Sequence, residues 1–409
     1  MMEPGKFIKE ALVVGNPKWE QSIKRQEDIY HKTPDIRSEF SRDYNRILHC
    51  KAYRRLKHKT QVFYATTNDH ICTRIEHVNH VASVSYSIAN YLGLNTELTS
   101  AIALGHDLGH APFGHVGEHH LSKIAKEEIG ETFWHEENSL FLVDMLETLP
   151  NLSGKENNMN LTYAVRDGII SHCGEVNENA VFPRAEAIDL RDIERPNQYS
   201  PYSWEACIVK IADKISYLGR DIEDAISLKI LSREQLSELE TIAEHIKKVP
   251  VDQINNTVLM HDFINNLCEM SSPGNGILFS DRYLELINKV KAFNYKNIYL
   301  HKRMSYYNEY ASLIISSIYK VLSGMYVKGG MEAELKRYES IYPSLAGAFS
   351  YWLMKYSNLN LEERAGTKFA NALIYDIRDE KQYRKAVIHY ISSMTDHFAV
   401  KLFGELTRF

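Results

Sequence analysis

The chain has 409 residues, 44% hydrophobic and 25% charged, with a net charge of −5. This is the balance of an ordinary globular protein, and it leaves no overall basic field that would draw nucleic acid. Five scattered cysteines (Cys50, Cys72, Cys173, Cys207 and Cys268), odd in number and without a Cys-x-x-Cys pair, read as reduced cytoplasmic thiols rather than a disulfide frame or zinc ribbon. No apolar run is long enough to span a bilayer, and Met1 to Trp19, interrupted by Lys6, Lys9 and Glu10, lacks a signal-peptide core.

Residues 1–35, punctuated by Pro4, Pro17 and Pro34, are expected to form an irregular arm. A helical pattern begins at Asp35, with Phe40, Tyr44, Ile47 and Leu48 on one face and Arg42 and Arg46 opposite. The run Tyr53–Phe63 is strongly basic through Arg54, Arg55, Lys57, His58 and Lys59. Two readings of it stand: a solvated surface, or a wall that binds phosphate. Gln61–Tyr64 is the one segment with a strand pattern.

Ile71 to Leu92 reads as a core helix, with Val78, Val81, Ser85, Ile88 and Leu92 inward and Gly93 ending it. Asn95 or Thr96 caps the next helix, whose buried face carries Leu98, Ala101 and Ile102 and whose last turn holds His106-Asp107. Gly109 and Pro112 then break it, which places His110 and His115 on a turn. Leu121–Glu147 is helical with an interruption at 133–138, residues 151–160 are a polar loop, and Thr162–His172 is helical again. Residues 174–202 form a long connection, the kind that serves as a lid or contact segment. Trp204–Leu231 is a long helix with Asp213, Tyr217, Arg220 and Asp224 on one stripe. The remainder is helical apart from a break at 271–276, with buried helices at 311–318 and Val387–Leu402. The fold class is all-α.

Three histidines and an aspartate lie within Leu104–His115. Imidazole and carboxylate together suit a divalent cation, and a mononuclear site needs three or four protein donors. His106 and Asp107 supply two, His77 on the preceding helix can reach them, and Asp213 can close the set. Manganese, iron, cobalt, nickel, magnesium and zinc all accept such N/O ligation. A cation of this kind serves phosphoester chemistry. His110, His115 and His135 are proton-donor candidates, Glu118 and Glu136 can orient them, and Arg74, Lys214 and the 54–59 stretch can neutralise a polyphosphate.

The ordered set Arg74-Ile75-Glu76-His77, His106-Asp107 and Asp213 resembles the H…HD…D signature of HD phosphohydrolases. More narrowly, the chain resembles the HD-domain deoxynucleoside triphosphate triphosphohydrolases, the bacterial dGTPase-like family. That resemblance rests on Arg37–Phe40, Arg54–Leu56, Lys59–Phe63, His106–Glu118, His135-Glu136, Ala212–Tyr217, Asp221–Ala225 and Met394–Asp396, so it covers roughly residues 35–400. It implies an HD helical core over 36–231, after the 1–35 arm, with a C-terminal helical region over 232–409 packed on it. It implies His77, His106, Asp107 and Asp213 as metal ligands, with Mn²⁺ the favoured ion, and His110, Glu118, His135 and Glu136 as the catalytic cluster. His115 falls near the α-phosphate and 5′ oxygen, Arg74 and Lys214 at phosphate positions, and Gln61, Tyr217 and Asp221 at sugar positions. The implied reaction converts a dNTP and water into deoxynucleoside and intact triphosphate, in a homo-oligomer, often a tetramer or hexamer. His397, where many relatives have arginine, departs from the pattern.

Two alternatives stand beside this reading. One is an HD phosphohydrolase acting on a nucleoside monophosphate or an alarmone. The other is a non-catalytic protein that binds nucleotide or single-stranded nucleic acid through Arg54–Lys59 with Tyr53, Phe63 and Tyr64.

Overall fold

A computed structural model describes residues 3–28, 34–64, 68–173, 179–247 and 256–408. Parts of the expected arm (1–2 and 29–33) and of the long connection (174–178) lie outside the described residues. The chain is all-α. Its helices are α1 (Trp19–Ser22), α2 (Glu39–His49), α3 (Lys51–Arg55), α4 (Arg74–Leu92), α5 (Thr96–Gly105), α6 (Gly114–Glu128), α7 (His135–Phe141), α8 (Tyr163–Ile170) and α9 (Trp204–Ser227). There follow α10 (Arg233–Lys247), α11 (Asn256–Met270), α12 (Asp281–Asn294), α13 (Lys302–Ser323), α14 (Met331–Glu339), α15 (Pro343–Tyr356), α16 (Leu361–Ala365), α17 (Glu380–Ser392) and α18 (Asp396–Thr407). Among the described residues one small antiparallel pair, β1 (Thr148–Pro150) and β2 (Glu156–Asn158), is the only sheet.

The packing divides into two units, each drawn from three separated chain segments. The first holds Met1–Ile47, Val62–His106 and Leu161–Tyr306. Its centre is α4, α5, α8 and α9, with Val78, Val81, Ile88, Leu98, Ile102, Ile169, Ile208 and Ile215 buried. Helix α4 begins where the Glu76 carboxylate accepts the Thr73 backbone N–H at 2.7 Å, and it ends at Gly93 in the left-handed region (φ +83°). The Asn95 side chain caps α5 by accepting from Glu97 and Leu98 N–H. Two glycines let α5 and α8 approach closely. A Cβ on Gly105 would stand 2.7 Å from Ile169 Cδ1, and one on Gly168 would stand 2.6 Å from Ile102 Cδ1. The N-terminal arm is docked, since buried Glu205 at the start of α9 accepts Leu12 N–H at 2.9 Å and Asn95 N–H at 3.0 Å.

The second unit holds Leu48–Gln61, Asp107–Asn160 and Tyr307–Phe409. Here α6 packs on α17, and α15 packs on α14, α17 and α18. Buried Asp396 at the start of α18 accepts two backbone N–H groups, Thr60 and Phe113, each at 2.8 Å. Lys59, 2% exposed, donates to the carbonyls of His110 and of Ser392, the latter at 3.2 Å. These bonds hold the 59–60 segment and the 110–113 turn as one piece.

Several sequence expectations change. Gln61–Phe63 is bent, not a strand, because Lys59 and Thr60 are tied to helix ends and a carboxylate instead of a neighbouring ladder. The sheet instead forms around the expected polar loop, where the Asn151 side chain accepts from Ser153 and Lys155 N–H and closes the turn. Val387–Leu402 is two helices, because Thr395 caps α18 by accepting Phe398 N–H at 3.1 Å. Arg42 is buried and pairs with Asp35 at 3.0 Å, so it does not face solvent. Within the basic run Tyr53 and Lys59 are buried and Arg55 pairs with Glu147 at 2.8 Å, which leaves Arg54, Lys57 and His58 exposed.

Candidate active site

In the first unit the ends of α4 and α5 and the middle of α9 bring His77, His106 and Asp213 together. Their donor atoms all lie within 4.8 Å of one another. His77 Nε2 is 3.0 Å and His106 Nε2 is 3.6 Å from Asp213 Oδ1. His106 follows the last residue of α5, and its Nδ1 lies 2.7 Å from Ala103 O. A carbonyl only accepts, so Nδ1 carries a proton there, and Nε2 is the ring atom that faces Asp213. Burial would raise the Asp213 pKa, but hydrogen bonds from His106 and His77 hold it well below the usual carboxylate range. Ligands at about 2.1 Å from one cation stand about 3.0–3.4 Å apart in octahedral or tetrahedral geometry. The 3.0 Å separation falls in that range and the 3.6 Å separation 0.2 Å above it, a spacing that a divalent cation of N/O preference would close by a small side-chain shift.

Helix α9 carries further site candidates beside Asp213. Lys214 is 3% exposed and Tyr217 is half-buried. Asp221, 1% exposed, accepts a hydrogen bond from the Tyr299 hydroxyl. Burial pushes the Asp221 pKa up to about 7, against the Tyr299 hydrogen bond and the nearby Arg74 guanidinium, which lower it. Arg74, in the first turn of α4, is 1% exposed.

The second segment of the second unit begins at Asp107, the next residue after His106 in the chain. Asp107 Oδ1 is 2.9 Å from His110 Nδ1. His115 lies in the first turn of α6 rather than on the preceding turn, because Phe113 takes a left-handed φ of +67° and the helix starts at Gly114. His110, His115, Glu118 and His135 place donor atoms within 4.8 Å of one another. Glu118 accepts from His115 Nδ1 at 3.3 Å, His135 Nδ1 at 3.1 Å and the His135 backbone N–H at 2.8 Å. The His110 and His135 rings are 3.9 Å apart between centroids, and buried Glu136 lies 3.4 Å from His135 Nδ1. Helix α7 is held against the glycine turn, with Asn138 Nδ2 donating to Gly109 O at 2.6 Å and Gly109 N–H donating to Ser139 Oγ at 2.8 Å.

Burial would lower the His135 pKa, but the Glu136 and Glu118 carboxylates raise it to about 10. Burial likewise opposes the Glu118 charge, and the His135 imidazolium with the His115 and His135 hydrogen bonds holds that carboxyl well below its ordinary range. His135 is thus protonated at neutral pH. Because its folded pKa is raised, the stability from this pairing is present below pH 6.5 and is lost as pH rises through about 10. Glu118→Gln removes one carboxylate, so the His135 titration in cation-free protein is expected to move down toward 6.5. Proton NMR of the imidazole reads this, and an unmoved midpoint contradicts the assignment.

The HD domain family matches residues 74–218, the span that carries His77, His106, Asp107 and Asp213. A deoxyguanosinetriphosphate triphosphohydrolase-like protein of Rickettsia felis is 31% identical over 94% of this chain and 96% of its own. Its counterpart in Rickettsia prowazekii is 33% identical over the same shares. That of Caldanaerobacter subterraneus subsp. tengcongensis is 35% identical over 70% of this chain and 72% of its own. The chain belongs to the dGTPase-like family of HD-domain proteins. Membership makes a metal-dependent nucleotide phosphohydrolase the coarse function, and the His/Asp cluster supplies donors for a divalent metal. None of the helices among the described residues is long and apolar enough to cross a membrane.

Of the sequence candidates, His77, His106 and Asp213 are brought together with Arg74, Lys214, Tyr217 and Asp221 in one unit. His110, His115, Glu118, His135 and Glu136 are brought together in the other, where Asp107 and half-buried Gln61 also belong. Two residues escape the sequence reading. Tyr299 closes a π turn (Tyr295–Tyr299) far along the chain from its partner Asp221, and no local pattern announces it. His172 follows helix α8 and stands edge-on to His106, with ring centroids 4.9 Å apart. Its signal is visible only in retrospect, as a histidine just past a helix end, like His106.

Proposed function

We propose that the protein hydrolyses a dNTP to deoxynucleoside and inorganic triphosphate. The observation that carries this reading is the order of residues along α9. Asp213 of the cation cluster, Lys214, Tyr217 and Asp221 follow one another on one helix. At 1.5 Å per residue, Tyr217 is about 6 Å and Asp221 about 12 Å beyond Asp213 along the axis. That progression suits a phosphate followed by its sugar.

A divalent cation, Mn²⁺ in this reading, held by His77, His106, Asp107 and Asp213 would polarise the phosphoryl group and neutralise its charge. Arg74 and Lys214 neutralise the remaining phosphate oxygens. Water attacks the α-phosphorus and the bond to the 5′ oxygen breaks. An imidazolium of the His110, His115 and His135 cluster gives that oxygen its proton, and Glu118 and Glu136 keep the cluster charged and oriented. Tyr217 packs beneath C2′, where a ribose hydroxyl has no room, while Gln61 and Asp221 take the sugar hydroxyl. A cytoplasmic homo-oligomer completes the proposal. The single-stranded nucleic acid alternative draws less support, because two of the three aromatics it calls on for stacking, Tyr53 and Phe63, are 8% and 7% exposed, while Tyr64 is half-buried.

The test is product identity. Purified protein with each dNTP, GTP and Mn²⁺ should yield deoxynucleoside and intact triphosphate by anion exchange and phosphorus NMR. Pyrophosphate or orthophosphate as the first product would put the scissile bond elsewhere.

Tyr299→Phe removes a hydrogen bond that holds the Asp221 pKa down against the burial that pushes it up to about 7. The Asp221 titration should therefore move to higher pH. KM should rise at neutral pH and recover as pH is increased, with little change in kcat. A KM–pH profile identical to the parent's would remove Asp221 from substrate binding.

A further inference from the structure

Asp396, buried in the first turn of α18, has no part in the reaction proposed above. Its Oδ2 accepts Thr60 N–H and its Oδ1 accepts Phe113 N–H, each at 2.8 Å. Phe113 is a buried aromatic residue held at φ +67° and ψ +20°, a left-handed conformation that a bulky side chain rarely adopts. Such a conformation persists only where its surroundings over-determine it, and these do so from both sides of the residue. The Phe113 N–H goes to Asp396, and the Phe113 carbonyl accepts from the Tyr307 hydroxyl at 3.3 Å. Three residues earlier, the His110 carbonyl accepts from the Lys59 ammonium. All of these residues belong to the second unit. The left-handed turn carries the chain from His110 to His115, and both rings join Glu118 and His135 in one cluster. At the other end of the clasp, Thr60 is the residue before Gln61.

We propose that Asp396 is a positioning residue: one carboxylate holds the Gln61 segment and the His110–His115 turn in register with each other. This rests on the reading above, in which Gln61 takes the sugar hydroxyl and the histidine cluster protonates the 5′ oxygen. Both Asp396 oxygens accept from peptide N–H groups, so it acts through the backbone of the two segments. A displacement of about 1 Å between reacting groups costs about a hundredfold in rate. Loosening the clasp therefore disturbs sugar binding and proton transfer together, beyond any loss of stability.

Asp396→Asn keeps one acceptor and turns an amide N–H toward the other peptide N–H, so one of the two bonds is lost at nearly constant side-chain volume. Asp396→Ser, smaller and able to accept one N–H, is the second variant and should behave in the same way. The matched control lies on the same helix. Glu405 accepts Ser344 N–H and Leu345 N–H at 2.8 Å each, a second carboxylate clasp, placed on the start of α15. In full-length protein well below the melting temperatures, Asp396→Asn is expected to lower kcat by about ten- to a hundredfold and to raise KM for the dNTP. Glu405→Gln is expected to leave both near the parent values. Urea denaturation confirms that each variant is folded. Equal kinetic effects of Asp396→Asn and Glu405→Gln overturn the proposal. A second readout uses no nucleotide. The His110 and His135 rings, 3.9 Å apart between centroids, shift each other's proton resonances, which isotope-labelled histidine makes visible. These resonances should move in Asp396→Asn and not in Glu405→Gln, while those of His119 and His120 stay in place in both. Unmoved His110 and His135 resonances in Asp396→Asn also overturn the proposal. A parent protein that leaves every dNTP intact, yet shows the shifts in Asp396→Asn, would fail the proposed reaction and keep this positioning role. A dNTP hydrolase in which Asp396→Asn matches Glu405→Gln in rate and resonances would do the reverse.

Discussion

Asp213→Ala is expected to reduce hydrolysis by well over a hundredfold and to abolish the stabilisation that Mn²⁺ gives the parent protein. Loss of a group that merely supports a metal ligand costs 10–100-fold, so loss of a ligand sets a larger effect. The geometry makes Asp213 the common partner of both histidines, at 3.0 Å from His77 and 3.6 Å from His106. Removing it takes the only carboxylate from that three-residue cluster and leaves two imidazoles, a weaker and less selective set. The fold should persist, because the apolar side of α9, through Ile208, Ile211, Ile215 and Ile222, is buried independently of this side chain. The check is a melting curve with and without Mn²⁺ beside the kinetic assay. At a hundred times its dissociation constant the ion adds about 2.7 kcal/mol to a protein that binds it only when folded. The parent should show this gain and the variant should not, while their metal-free melting temperatures stay close. Normal turnover of Asp213→Ala in metal-replete buffer would falsify the ligand assignment.

What the sequence made legible, and what it did not, follows from the range of each signal. Helices α4, α5 and α9 were readable because their apolar residues recur at helical spacing and Gly93 and Asn95 mark a stop and a start within three positions. His106-Asp107 and His135-Glu136 were readable because chemistry-bearing residues are adjacent in the chain. The Asp396 clasp on Thr60 and Phe113 spans more than 280 residues, and no local pattern encodes such a bond. For the same reason Lys59 looked like a surface cation and is instead a buried strap between two carbonyls. His172 went unremarked because a single histidine at a helix end has no partner within reach along the chain. Its partner is brought to it by two glycines on different helices. The hairpin at 148–158 was lost for another reason: three-residue strands are too short to display alternation, and the asparagines of its turn dominate the composition.

At Gly109 a single methyl group should have a large structural effect. A Cβ there would stand 2.1 Å from Ser139 N, 2.5 Å from Asn138 C and 2.6 Å from His135 O. All three are backbone atoms of α7, so no side-chain rotation relieves the clash. The helix or the turn must move by more than an ångström, and both hydrogen bonds that join them, Asn138 to Gly109 O and Gly109 N–H to Ser139, are then broken or stretched. Overpacking alone costs about 1–3 kcal/mol, and two lost bonds between buried groups add about 1–3 kcal/mol more. Gly109→Ala should therefore lower the urea midpoint markedly. Activity should fall further than stability explains, because α7 carries His135 and Glu136, and a displacement of about 1 Å in catalytic groups costs about a hundredfold. The control is Gly404→Ala in α18, where a Cβ meets nothing within 4 Å and the change removes a helix-interior glycine. That variant should be unchanged or up to about 1 kcal/mol more stable. If Gly109→Ala behaved like Gly404→Ala in both denaturation and turnover, then α7 would not depend on the glycine turn for its position. The His110–His135 cluster would have to be set by Glu118 alone.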